Sequence, residues 1–282
     1  MIILGSGDPM QHVIPHTLFE IGPFHFTNHM LMLLIAASLM LVAFPLAARN
    51  YPMVPSGMRN LLETLMLFVR DQVARPSLHE HTDRFVPYLW VLFFFILFNN
   101  LLGIVPLDPF SIIVFNRGHL FGTATAGISV TAGLAATSLV VIHTSGMLEQ
   151  YRHQRQHGRS LVGAAAKGFV VYWYNFVPHI PGVTGAVMFV PLLILELIAA
   201  GVKPFALCVR LFANMMAGHV VLASLLALAP ALHALKDVGI AIPAILGCVA
   251  LSFLELFVAF LQAYIFVFLT SMFIGAAVSP EH

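Results

Sequence analysis

The chain has 282 residues, of which 60% are hydrophobic and only 9% are charged, and its formal net charge is +1. This composition lies far outside the range of a soluble globular domain and excludes that class. The sequence therefore predicts an integral membrane protein.

The predicted elements begin with an N-terminal segment, residues 1–27, that contains no Lys or Arg. The segment also lacks an apolar run ending in a small-residue cleavage site, so it does not have the pattern of a signal peptide. We expect it to lie on the outer side of the membrane, ahead of the first span. That first span is predicted at residues 28–48.

Four further apolar runs follow, and each reaches the roughly 20 residues that cross a hydrocarbon core. They cover residues 86–107, 123–143, 185–230 and 240–276. The last two exceed a single crossing, so we expect long tilted helices or broken ones, paired as a hairpin. The predicted architecture is one compact all-α domain with five membrane crossings.

Two segments between the spans are typical of a membrane surface. In residues 49–85, the stretch RNLLETLMLFVRDQV places apolar residues at helical spacing with charges between them, which predicts an interfacial helix. Residues 148–184 contain the aromatic, proline-bearing stretch FVVYWYNFVPHIPGV, which favours the interface over a crossing. Both segments are expected to be cytoplasmic.

The basic residues predict the orientation of the chain. Only two, Arg117 and Lys236, lie in the loops expected on the outer side. The two predicted cytoplasmic segments together contain Arg49, Arg59, Arg70, Arg75, Arg84, Arg152, Arg155, Arg159 and Lys167. Because Lys and Arg concentrate in cytoplasmic loops, this pattern places the N-terminus outside and the C-terminus in the cytoplasm.

Polar residues interrupt the fourth span. At about 100° per residue, Glu196, Lys203, Arg210 and Asn214 fall within about 40° of one another on a helix and form one stripe. His219 falls about 180° from Arg210. A charge near the middle of a bilayer costs roughly 3 kcal/mol on insertion scales, so the stripe needs an explanation.

The fifth span carries Glu255 and Gln262, seven positions apart and therefore on one face. In an antiparallel hairpin, one register places Arg210 level with Gln262 and His219 level with Glu255. Single polar contacts between membrane helices contribute under about 1 kcal/mol, so Asn214 or Gln262 taken alone has an equally good structural explanation. Ionisable groups at matching depth favour an ion or proton pathway.

The chemistry of these side chains suggests different roles. His219 and Glu255 titrate, or can be shifted to titrate, near neutral pH and are candidate proton-handling groups. Arg210 does not usefully release its proton in a protein, so its role must be electrostatic. The only carboxylate on its own stripe is Glu196, about 20 Å away along the axis. A partner carboxylate is therefore expected on another chain.

At these residues the sequence resembles the a subunit of the F-type ATP synthase, the stator channel protein of the membrane sector. The resemblance is close over RLFANMMAGH, which runs from Arg210 to His219. It extends to ELIAAGVKPFAL upstream and to LELFVAFLQAYIFVFLTSMFI downstream, and it is weaker over FNNLLGIVPL and GTATAGISVT.

The resemblance implies a mechanism. The two long helices would lie against a rotating ring of c subunits, each bearing a carboxylate in mid-membrane. Arg210 would draw a ring carboxylate into its ionised form and separate two offset aqueous half-channels. His219 and Glu255 would line the outer half-channel, in the reverse of the order found in some relatives, and Glu196 would belong to the inner one.

The resemblance also implies the surroundings of this site. Asn214 and Gln262 would be polar neighbours of Arg210. Gly103 and Gly127 stand where relatives often carry polar side chains, so the outer channel is expected to depend more on its remaining polar groups and on water. Partners would be the c-subunit ring and b-type peripheral stalk subunits in a bacterial inner membrane. No cofactor or metal site is expected. Direct nucleotide binding is not expected either, because the chain has no GxxxxGK[ST] phosphate loop.

Two other functions are alternatives to this interpretation. A self-contained proton-coupled secondary transporter would use the same His and Glu relay, but inverted repeats and a midplane substrate site would favour it, and the sequence shows neither. A metal-dependent hydrolase would need clustered ligands such as HExxH. The nearest cluster, His79, Glu80 and His81, lacks that spacing.

Overall fold

The computed structural model describes residues 17–22, 24–48, 57–105, 124–157, 161–175, 183–235 and 238–278. Helices dominate this part of the chain. Five of them are long and apolar enough to cross a membrane, in the ranges Asn28–Ala47, Met58–Ile104, Ile128–Gln156, Met188–Gly218 and Leu246–Val278. The prediction of an all-α integral membrane protein with five apolar helices is confirmed. The loops that carry Arg117 and Lys236 lie outside the described residues.

A short β-hairpin precedes the first helix and was not predicted. Strand β1 (Thr17–Ile21) pairs antiparallel with β2 (Phe24–Thr27), and Glu20 is opposite His25 in this register. Gly22 has a φ of 61°, a conformation that glycine adopts without steric cost. The hairpin leads directly into helix α1, Asn28–Ala48.

The next stretch is a series of helical segments without a described break. Helix α2 (Met58–Phe68) continues through a π-helical turn (Val69–Ala74), α3 (Arg75–Leu78) and a 3₁₀ turn (His79–His81) into α4, Thr82–Ile104. The span predicted at residues 86–107 thus belongs to a helix that begins at Thr82. The interfacial position of α2 stays a prediction.

The remaining helices are longer than the sequence pattern suggested. A 3₁₀ turn (Ala124–Ala126) precedes α5, Ile128–Gln156, which extends past the predicted end of the third span at residue 143. Helix α6 (Leu161–Asn175) carries the first seven residues of the aromatic stretch, FVVYWYN. Helices α7 (Val183–Leu235) and α8 (Val238–Val278) are each continuous, a point that the sequence left open. Their pairing as a hairpin stays a prediction.

The chain forms two compact units. The first unit comprises Met1–Leu65, Trp90–Thr131 and Val209–Ile265, and the second comprises Met66–Leu89, Ala132–Cys208 and Phe266–His282. In the first unit an aromatic core joins three helices: the ring of Phe94 on α4 meets Phe44 of α1 edge-on at 4.9 Å between centroids, and Phe93 meets Phe260 of α8 at 5.9 Å.

Polar contacts and close backbone packing hold the second unit. The guanidinium of Arg84 on α4 donates to the carboxylate of Glu149 on α5 at 2.8 Å. His143 Nδ1 and the hydroxyl of Tyr172 on α6 share a hydrogen bond of 2.7 Å, and burial raises the pKa of Tyr172 to about 12. Gly275 of α8 packs against the backbone of Ser77, where any larger residue would overlap the Ser77 carbonyl oxygen.

Candidate ion pathway

The polar residues that the sequence singled out divide between the two units. Helix α7 carries five of them and helix α8 carries two. The first unit contains most of the set, namely Arg210, Asn214, His219, Glu255 and Gln262. Glu196 and Lys203 belong to the second unit. The first unit therefore contains most of the candidate residues of a proton-handling site.

Arg210 lies on the exposed side of helix α7. Asn214, one turn further along, is also exposed, whereas Leu211 and Met215 are buried at 1% and 5% exposure. This alternation follows the 3.6-residue period of a helix with one packed face. Among the residues that the structure describes, none forms an ion pair with Arg210. The guanidinium is thus presented outward from an apolar helix.

Glu255 lies in a closely packed position on α8. Its carboxylate lies against the backbone of Gly218 on α7, such that a Cβ built on Gly218 would be 2.8 Å from Glu255 Oε1. Both carboxylate oxygens are buried and have no hydrogen-bond partner among the described residues. A buried ionised carboxylate without partners is very costly, so this position favours a group that can take up a proton.

The contact at Gly218 also bears on His219. Residue 219 follows Gly218 directly in α7, and its side chain lies outside the described residues. The sequence predicted that His219 and Glu255 lie level with each other in neighbouring helices. The structure brings the Glu255 carboxylate to Gly218, the residue adjacent to His219, and the register of the two side chains stays a prediction.

Gln262 and Arg210 differ in their exposure. Gln262 is buried, with 4% exposure, whereas Arg210 is exposed. Near it, the side-chain amide of Asn100 on α4 donates to the carbonyl oxygen of Ala259 on α8 at 3.2 Å. Asn100 is fully buried, and its Oδ1 has no partner among the described residues. Asn100 belongs to the stretch FNNLLGIVPL, but the sequence pattern did not indicate a role for it.

The sequence pattern likewise did not lead to a prediction for Gly218. Glycine in a helix interior costs about 1 kcal/mol relative to Ala, and an isolated glycine in a helical pattern therefore suggests a packing or functional reason. That signal was present in RLFANMMAGH. Its partner was not identifiable, because the contact joins a residue without a side chain to a residue on another helix.

The second unit places Glu196 and Lys203 in different surroundings. Glu196 is half-buried on α7. Lys203 is exposed, and its Nζ lies 5.0 Å from the ring centroid of Phe273 on α8, within the range of a cation–π contact. Lys203 therefore has an aromatic partner in its own chain.

No group of three or more His, Cys, Asp or Glu side chains that could hold a metal ion occurs among the described residues. His79 has a positive φ of 47°, but His79, Glu80 and His81 form only a short 3₁₀ turn before α4.

The fold and these residues define a class: a polytopic helical membrane protein with ionisable side chains on two long helices. The sequence profile of the family described as ATP synthase A chain matches residues 30–157 and 158–275. The chain belongs to that family, as the resemblance at Arg210 predicted.

Individual relatives agree with this assignment. The chain is 35% identical over 294 residues to "ATP synthase subunit a" of Chloroherpeton thalassium, an alignment that covers 97% of this chain and 77% of the relative. It is 34% identical over 260 residues to the protein of that name from Myxococcus xanthus, covering 91% and 74%. A relative from Anaeromyxobacter sp. (strain Fw109-5) is 37% identical over 259 residues, which cover 90% of this chain but only 54% of the relative.

Proposed function

We propose that this chain is the proton-conducting stator subunit of an F-type ATP synthase. Two offset half-channels, separated by Arg210, would couple proton flow across the membrane to rotation of a ring of c subunits. Membership of the ATP synthase A chain family supports the proposal, and so does the name "ATP synthase subunit a" shared by the relatives. The chain would carry no catalytic site of its own, and other subunits would make the ATP.

One observation carries the proposal: Arg210 is exposed on a helix that is apolar enough to span a membrane. It has no ion-pair partner among the described residues. A lipid-facing arginine costs about 3 kcal/mol or more, so the proposal requires a partner that another chain supplies. A carboxylate in mid-membrane on a ring subunit meets that requirement.

The surface around Arg210 suits the approach of another helix. Ala213 and Ala217 are exposed on the same side of α7 as Arg210 and Asn214. Small residues allow membrane helices to approach each other closely. A ring helix could therefore pass close enough for its carboxylate to reach the guanidinium.

Glu255 and His219 form the outer half-channel in this proposal. The Glu255 carboxylate lies at Gly218, next to His219 in sequence, and its buried oxygens favour a group that exchanges protons. A neighbouring acid and imidazole would act as successive proton acceptors and donors. A proton entering from outside would pass these groups before it reaches a ring carboxylate.

The proposed cycle follows from the electrostatics of carboxylic acids in lipid. A neutral ring carboxyl can face hydrocarbon, whereas an ionised one cannot. The proton neutralises the carboxylate, and the ring turns nearly a full circle. When the carboxyl reaches Arg210, the nearby positive charge favours its ionised form and the proton is released. Glu196 would then lead it to the inner side.

The proposal includes partners and an orientation. The c-subunit ring and b-type peripheral stalk subunits would be the partners. The excess of Lys and Arg in residues 49–85 and 148–184 supports a cytoplasmic location for these segments and an outer N-terminus. The relatives are bacterial, which supports the inner membrane as the location. A self-contained proton-coupled secondary transporter remains the alternative function.

The test is ATP-driven proton pumping by the assembled complex in inverted membrane vesicles. Arg210→Ala should abolish pumping while the complex still assembles and part of the ATP hydrolysis persists. Val209→Ala is the matched control, because Val209 is the exposed neighbour of Arg210 and carries no charge. Pumping at the parent rate in Arg210→Ala would contradict the proposal and would leave the transporter alternative to be tested by substrate-driven proton uptake.

A further inference from the structure

A buried histidine lies outside the set of residues that the sequence assigned to the ion pathway. His29 is the second residue of α1 and is only 3% exposed. Its imidazole packs against Gly127, at the start of α5, so closely that a Cβ built on Gly127 would lie 2.5 Å from Nδ1 and 3.0 Å from Cε1. No side chain fits at position 127 while the imidazole is in place.

The surroundings of His29 are polar and buried. The Asn28 side chain is 1% exposed, and its Oδ1 accepts a hydrogen bond of 3.0 Å from the backbone N–H of His29. Helix α1 packs against the 3₁₀ turn Ala124–Ala126. In that turn Thr125 is fully buried, and its Oγ1 has no partner among the described residues. Thr131 is also fully buried and its hydroxyl lies 3.4 Å from the carbonyl oxygen of Gly127.

The other titratable groups named near this end of α1 are exposed. The turn Ala124–Ala126 has no titratable side chain, and α1 also packs against strand β2 and, through Phe44, against Phe94 of α4. Strand β2 carries His25, whose Nδ1 lies 3.0 Å from Glu20 Oε1 on β1. Both of these side chains are exposed. Among the described residues named here, His29 is therefore the buried titratable group.

We propose that His29 is a further proton-carrying group of the outer half-channel and that Gly127 is a glycine because the imidazole needs its space. The inference rests on the proposed function. Burial of a polar ring at the end of an apolar helix costs free energy, and histidine is the side chain that titrates near neutral pH. The proposed outer side of the membrane is also the side on which α1 begins.

The first experiment compares His29→Gln with the parent in ATP-driven proton pumping, normalised to the amount of assembled complex. Glutamine keeps hydrogen-bonding capacity but does not titrate. The pumping rate should fall about tenfold, and the change in rate between about pH 5 and 8 that an imidazole contributes should be lost. Met30→Leu, at the neighbouring position, should leave both unchanged. A parent rate and parent pH profile in His29→Gln would overturn the proposal.

A second experiment tests the geometry independently of proton transfer. Gly127→Ala should reduce pumping in the parent, because the new Cβ displaces the imidazole. The same substitution in a His29→Ala background should cause little additional loss, since the effects of residues in contact are not additive. Equal losses in the two backgrounds would show that the imidazole does not exclude the Cβ, and would overturn the proposed reason for Gly127.

Failure of this inference is distinguishable from failure of the proposed function. Arg210→Ala is measured in the same vesicles. If Arg210→Ala still pumps, the stator function itself is wrong. If Arg210→Ala abolishes pumping while His29→Gln matches the parent, the stator function stands and His29 has no role in the pathway.

Discussion

The carboxylate of Glu255 on α8 packs against the backbone of Gly218 on α7. A Cβ at Gly218 would lie 2.8 Å from Oε1, 3.4 Å from Cγ and 3.5 Å from Cδ of Glu255. Contacts under 3.0 Å to a Cβ do not persist in folded proteins, so an alanine here would force the carboxyl group to move. Gly218 therefore sets the position of Glu255, and its lack of a side chain has a physical reason.

The first prediction concerns this contact. Gly218→Ala should displace the Glu255 carboxylate and lower ATP-driven proton pumping roughly tenfold or more, since small misplacements of reacting groups reduce rates strongly. The measurement is pumping in inverted vesicles, normalised to assembled complex. Gly201→Ala is the matched control, because Gly201 lies on the same helix with no atom within 4 Å of its would-be Cβ. Equal losses in the two variants would contradict the prediction.

The second prediction concerns the acid itself. Glu255→Gln keeps the size of the side chain but removes its ability to carry a proton, so pumping should fall about 100-fold. Assembly and the thermal stability of the complex should stay close to the parent, because the described residues supply no hydrogen bond to either carboxylate oxygen. Ser252→Ala, which loses only a hydrogen bond to Cys248 of its own helix, is the control. Unchanged pumping in Glu255→Gln would exclude Glu255 from the pathway.

The third prediction concerns stability. Asn100→Leu should lower the free energy of unfolding by about 1–3 kcal/mol, because it removes the hydrogen bond that joins α4 to the carbonyl oxygen of Ala259 on α8. Thermal denaturation of the detergent-solubilised complex would measure the change. Asn99→Leu should have a smaller effect, since the Asn99 amide bonds within its own helix, to Phe95. A larger effect at Asn99 would refute this assignment.

The fourth prediction concerns the ion pair in the second unit. Arg84 and Glu149 lie 2.8 Å apart and their side chains are each 28% exposed. A double-mutant cycle should give a coupling of about 1 kcal/mol, and this value should fall as salt is added. Arg152, 3.8 Å from the same carboxylate and more exposed, should couple less strongly. If Arg152 couples to Glu149 as strongly as Arg84 does, the distance to the carboxylate does not determine the coupling energy.

Much of the fold was predictable because its signals are local. An apolar run of sufficient length predicts a membrane helix wherever it occurs, and α1 begins and ends at the predicted residues. The polar positions of α7 and α8 were visible for the same reason, since a charge stands out against apolar neighbours. The β-hairpin ahead of α1 was missed, because its strands are short and their pairing depends on a turn with positive φ at Gly22.

The sequence by itself determined the class of the protein, its family and the identity of the ionisable groups, because hydrophobicity, helical period and the Arg210 motif are properties of neighbouring residues. Only the tertiary structure decided which backbone positions the titratable side chains pack against. It placed Glu255 at Gly218 and His29 at Gly127. Both contacts join residues that are not neighbours in the chain, and in each pair one member is a glycine, so the sequence pattern does not identify which side chain packs against it.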